Sequence, residues 1–174
     1  MENIISRLLL SIFPDAVKAY FGKTSNAKSI AVALHGEISA ALDIALTKQN
    51  LEFLENLEKR AELNEFSPYY IGFKSEYFSV YSKNALELGK LKQPNPELIS
   101  KFYISSKAIL DEHSAINAFI AEGRTGEELT RAIKNLNEMF RETALLGYRC
   151  CASLQHDYKP VSYTHLTLPT ICSV

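Results

Sequence analysis

The chain has 174 residues, 47% hydrophobic and 22% charged, which is enough for one domain with a real core. Nineteen Lys and Arg against twenty Asp and Glu leave a net charge of −1, without the basic field a nucleic-acid partner needs. Three cysteines, two of them adjacent at Cys150 and Cys151, give no disulfide framework and fit a reducing, cytoplasmic setting.

Only seven Gly and six Pro punctuate the sequence, which favours helix. Residues 1–22 read as an N-terminal amphipathic helix. Ile4, Ile5, Leu8, Leu9, Ile12 and Phe13 cover one broad face over residues 3–21. A bilayer span needs about 20 mostly apolar residues, and Arg7 and Pro14-Asp15 interrupt this one. The segment either packs on the bundle or lies in a membrane interface, where Arg7, Lys18, Lys23 and Lys28 would help it. It has no basic start and small-residue cleavage site of a secretory signal. Pro14 restarts the helix, Gly22 is expected to end it, and Ser25 or Asn26 to cap the next.

Residues 27–64 are expected to form one long helix, with Ile30, Leu34, Ile38, Ala41, Ala45, Phe53, Leu54, Leu57 and Ala61 as its stripe. Such a helix would run on the order of 55 Å. A crossover follows over residues 65–95. Pro68 stops the helix, and the aromatics Tyr69, Tyr70, Phe73, Tyr77, Phe78 and Tyr81 follow at once. These six are the candidate interaction surface, since Tyr suits half-wet contacts. The same side chains more readily read as a clamp that holds an irregular connector onto the bundle. Residues 79–88 fit a short helix capped by Ser79 and ended by Gly89.

Pro94-Asn95-Pro96-Glu97 restarts the chain, with Asn95 as the expected N-cap and Pro96 at the first helical position. A helix over residues 96–121 carries Leu98, Ile99, Phe102, Ile109, Ile116, Phe119 and Ile120, and Gly123 ends it. Thr125-Gly-Glu-Glu reads as a capping box for a last helix over residues 125–155. The short link makes these two helices antiparallel neighbours. The expected fold is therefore all-α: an antiparallel bundle of three long helices, an N-terminal helix and a short crossover helix.

Residues 160–174 break with this pattern, having no charged residue and no helical period. From Val161 to Thr170 they resemble, residue for residue, one reading frame of the transposon-end adapter used in DNA sequencing libraries. The resemblance implies that the native sequence diverges after about residue 159, so His165 and Cys172 are kept out of any site.

The other histidines, His35, His113 and His156, follow Val32, Leu110 and Ser153 by three positions, so the Glu-x-x-His pattern of di-iron bundles is absent. Glu37 and Glu112 stand close to His35 and His113 in sequence but point to other helix faces. The sequence has no phosphate-binding glycine loop, zinc spacing or nucleophile elbow. Cys150-Cys151 reads as small packing residues more readily than as a redox pair. Arg124, Arg131 and Lys134 form a basic patch diluted by Glu127, Glu128 and Glu138. No catalytic, cofactor or metal residues are assigned.

Phe78-Ser-Val-Tyr81, Asn84, Leu88-Gly89, Leu91, Pro96-Glu97-Leu98 and Phe102-Tyr103 resemble a pattern in uncharacterised bacterial helical-bundle proteins. The resemblance covers roughly residues 30–120. It implies a long helix behind an N-terminal membrane anchor and no known activity; this chain lacks the full span. The functional expectation is a non-enzymatic scaffold or protein-interaction domain, peripheral to a membrane or self-associating. The alternative is a ligand- or metal-binding bundle with an enzymatic role.

Overall fold

The computed structural model describes residues 14–68 and 78–159, with side chains from Asn26 onward except those of Lys48, Gln49 and Leu51. Among these residues all regular structure is helical, and the helices pack as an all-α bundle. The elements are α1 (Pro14–Ala45), α2 (Lys48–Glu62), α3 (Ser79–Asn84), a 3-10 helix (Ala85–Lys90), α4 (Asn95–Ala121) and α5 (Glu127–Tyr158).

The first half is divided differently from expectation. The backbone stays helical through Gly22 and the polar residues 23–28, where a stop and a new cap were expected. One helix glycine costs only about 1 kcal/mol, and the buried Ala27, Ile30 and Ala31 lie directly beyond. The apolar face of residues 4–13 falls outside the described residues. The long helix expected over residues 27–64 is instead two helices meeting at Leu46-Thr47. The cause is a mismatch of faces. Leu54 lies nine residues past Ala45, so a continuous helix would turn it about 180° away from the stripe. The break restores it to the core. Thr47 caps α2, its hydroxyl accepting from the Asn50 N–H at 3.4 Å, and the Asn50 side chain donates back to the Ile44 carbonyl at 2.7 Å.

Helix ends follow backbone chemistry more than the side chains expected there. α2 closes before Pro68, at Asn64, whose φ of 58° lets Glu65 N–H reach the Arg60 carbonyl at 2.9 Å. α4 closes as expected at Gly123 (φ 76°), with Arg124 N–H on the Phe119 carbonyl at 3.0 Å and the Arg124 guanidinium 4.3 Å from the Phe119 ring. Four further expected caps do not form. Ser79 is the first residue inside α3 rather than its cap, and Gly89 lies within the 3-10 helix instead of ending it. Asn95 is the first helical residue of α4, behind Pro94. Gly126, at φ 101°, occupies the cap position of α5, so the Thr125 capping box is displaced and Glu127 and Glu128 act through the helix dipole alone.

α5 is the spine. Its buried residues run from Leu129 to Leu154 and meet α1, α2 and α4 in two apolar clusters. The first joins α1, α3, the 3-10 helix, the N-terminal half of α4 and the C-terminal half of α5 around Leu34, Ile38, Ile99, Phe102 and Leu154. The second joins α2 to the other halves of α4 and α5 around Leu57, Ile116, Ile133, Leu136 and Phe140. Ser106 and Thr143, both buried, stand where α4 and α5 pass from one cluster to the other, and Leu46 packs against both. α1 and α4 both press on α5 at Gly147. A Cβ there would stand 2.8 Å from Phe102 Cε2 and 2.9 Å from Leu42 Cδ2.

Candidate functional site

The densest polar arrangement in the described residues is built on Glu37. This residue sits on the side of α1 that faces the crossover and is half-buried. One carboxylate oxygen accepts the Val80 N–H at 2.6 Å; the other accepts the Tyr81 N–H at 3.0 Å and the Tyr103 hydroxyl at 2.6 Å. Val80 and Tyr81 are the second and third residues of α3, whose N–H groups have no partner within that helix. Glu37 therefore does from a neighbouring helix what Ser79 was expected to do from within the chain, and its charge suits the positive end of α3.

Aromatic rings enclose this node. Tyr103 is buried and stacks on Tyr81 at 3.9 Å between centroids, while Phe78 at 5.0 Å and Phe102 at 5.2 Å meet it edge-on. Burial, and then the Glu37 carboxylate, push the Tyr103 hydroxyl far above the usual phenol range. The phenol keeps its proton and serves as a fixed donor. Of the six aromatics proposed as an interaction surface, Phe78 is buried in the first cluster and Tyr81 packs against it half-buried. Tyr69, Tyr70, Phe73 and Tyr77 lie outside the described residues.

The cysteine pair lies on the same spine. Burial first, then the neighbouring Cys151, pushes the Cys150 thiol up to about 12. Burial also raises Cys151, against the opposing pull of the Ser39 hydroxyl 3.5 Å from its sulfur. Both are reduced, buried and protonated at neutral pH, the opposite of what a nucleophilic or ligating thiol needs. His35 is buried and burial lowers its pKa, holding it neutral. His113 is half-buried with its Nε2 3.0 Å from the Asn117 amide, and the exposed His156 has Nδ1 3.2 Å from Asp157. Among the described residues no three His, Cys, Asp or Glu converge as a metal would require.

Four further hydrogen bonds tie α5 to its neighbours. At its C-terminal end Asp157 accepts the fully buried Asn95 amide at 2.7 Å, and the Tyr158 hydroxyl accepts the Lys92 N–H at 2.6 Å. The Asn95 bond, more than the histidine beside it, holds the Asp157 carboxyl below its usual range. Nearer its start, the buried Asn137 amide donates to the Leu54 carbonyl and to Glu58, both at 3.1 Å. A groove of about 500 Å³ runs along α2, lined by Phe53, Leu57, Arg60, Leu63 and Pro68 among others.

Sequence reasoning met Glu37 only as a neighbour of His35 and missed its role. The one available signal was a carboxylate on the otherwise uncharged stretch of α1 between Ser29 and Leu42, His35 apart. No protein-family model, curated protein or solved structure matches this chain.

Proposed function

We propose that this chain is a non-enzymatic helical scaffold that works by binding a protein partner, or another copy of itself, at a membrane surface. The observation that supports this reading is the employment of Glu37. Among the described residues it is the one carboxylate that hydrogen-bonds a buried phenol, yet its two oxygens take three donors, two of them backbone N–H groups of α3. A carboxylate so engaged holds an element in place rather than moving protons. The two buried thiols are likewise kept protonated by their surroundings. Contact with the membrane is assigned to residues 3–21, through the apolar face of Ile5, Leu8, Leu9 and Ile12 with Arg7 and Lys18 beside it.

Co-sedimentation of the full chain with vesicles tests the membrane part. Binding is expected to anionic vesicles, weaker binding to neutral ones, and loss of both in Leu9→Asp. A chain that stays in the supernatant with either lipid would remove the membrane from the proposal. Light scattering on the same sample distinguishes a self-associating scaffold from one that needs a different protein.

Val161 to Thr170, on this reading, is translated adapter and no part of the working surface. Sequencing across the uninterrupted locus is expected to give a different sequence after about residue 159.

A further inference from the structure

We propose that α2 is a hinged strap, able to lift off the bundle as a unit while α1, α4 and α5 stay folded. Four observations lead to this, and none depends on the function proposed above. First, α2 is bounded at both ends by chain breaks, the Thr47 cap and the left-handed Asn64, so it can leave without unwinding a neighbour. Second, the first apolar cluster contains no residue of α2, and it holds α1, α4 and α5 together through Leu34, Ile38, Ile99, Phe102 and Leu154. Third, the buried anchors of α2 among its described side chains are Leu54, Leu57 and Ala61, against eleven buried residues in α5. Fourth, the described polar ties of α2 to α5 all run through side chains of α5. Asn137 donates to the Leu54 carbonyl and to Glu58, Thr130 to the Ala61 carbonyl at 3.0 Å, and Lys134 pairs with Glu62 at 2.7 Å on the surface.

The Asn137 tie matters most, because it is buried and its amide binds the strap at two points, the Leu54 carbonyl and Glu58. The surface uncovered is the apolar face of Ile109, Ile116, Ile120, Ile133, Leu136 and Phe140. The geometry thus joins a stable frame to an element that closes over one end of it, and local opening of such elements is drawn from the low-stability end of a structure.

Native-state hydrogen exchange on the full chain, read by mass spectrometry in low urea, tests the proposal. The amides of α2 are expected to converge on one opening step and to exchange at least about tenfold faster than those of residues 144–154. The distinguishing variant is Ile99→Val, far from α2 in the first cluster. It weakens the frame in both the closed and the lifted state. Amides of residues 144–154 should then exchange about two- to tenfold faster while α2 is unchanged. The proposal is overturned if α2 exchanges at the rate of residues 144–154, or accelerates with them in Ile99→Val. A graded spread of rates along α2 with no common opening step would equally overturn it, since that is fraying from the ends. Leu154→Ala gives a larger push in the same direction, should Ile99→Val prove too gentle to read.

Discussion

At the scale of single residues, buried groups with acidic protons are held neutral by where they sit. Tyr103 gives its hydrogen to Glu37, and Cys150 is enclosed where α5 meets the first cluster. Their pKa values are raised in the folded chain, Cys150 from 9.0 to about 12 and Tyr103 from 10.0 to beyond the ordinary phenol range. The sign follows directly. Below about pH 9 both groups are protonated in the folded and the unfolded chain, and their contribution is fully present. Above it the unfolded chain releases protons that the folded chain must keep, so stability falls as pH rises. Urea unfolding measured at pH 8, 10 and 11 should show a midpoint that drops steadily. Cys150→Ala removes one of the two buried thiols and should lessen the fall that begins near pH 9, leaving the share of Cys151, whose pKa burial also raises, and the loss above pH 10 that belongs to Tyr103. An equal slope in the variant would mean that the thiol is ionised as easily in the fold as out of it.

Among the elements, two helix glycines separate what a helix needs from what packing needs. Gly36 is exposed on α1 and a Cβ there would meet nothing within 4 Å; Gly147 on α5 is wedged between Phe102 and Leu42. Gly36→Ala should stabilise the chain by about 0.5–1 kcal/mol through propensity alone. Gly147→Ala gains the same propensity but must push aside a buried ring and a leucine, an overpacking of about 1–3 kcal/mol, so a net loss on the order of 1 kcal/mol is expected. Opposite shifts of the two urea midpoints check this. Equal shifts would mean that the Gly147 crossing yields freely. The same contrast shows what the sequence could reveal. Apolar periodicity placed the all-α class and most of the face of α4, Phe119 being the expected face residue that is exposed, because a stripe recurring every three or four residues is a local property of the chain. The Gly123 turn was legible for the same reason, since only a few residue types favour a left-handed backbone. The break at Thr47 was written in the 180° offset between Ala45 and Leu54, but the uninterrupted run of helix formers hid it. The Glu37 cap and the Gly147 crossing were not legible at all. Each depends on residues more than 40 positions apart being brought together by the fold, and no local pattern marks them.

For the molecule as a whole, α5 determines how the ends of the bundle are joined. Its last turn grips the turn before α4: Asp157 receives the Asn95 amide, and the Tyr158 hydroxyl receives the Lys92 N–H. The two contacts differ in what happens when each is broken. Lys92 is exposed, so water can take over its N–H, and Tyr158→Phe should lower the urea midpoint only slightly. Asn95 is fully enclosed, and Asn95→Asp would set a second carboxylate against Asp157, whose oxygen lies 2.7 Å from the Asn95 amide. Like charges at that distance cannot both remain ionised cheaply. The variant should be markedly less stable than the parent chain at pH 7, with the deficit narrowing as pH falls through about 4 to 5 and one carboxyl takes up a proton. The parent chain moves the other way. Its Asp157 is held below the usual carboxylate range by Asn95, so that contribution is present above about pH 3.8 and is lost only as pH falls further. Comparing the two chains at pH 7 and pH 4.5 therefore isolates the clasp. A deficit of equal size at both values would show that Asn95 acts through its shape, and that the ends of the bundle are held by packing alone.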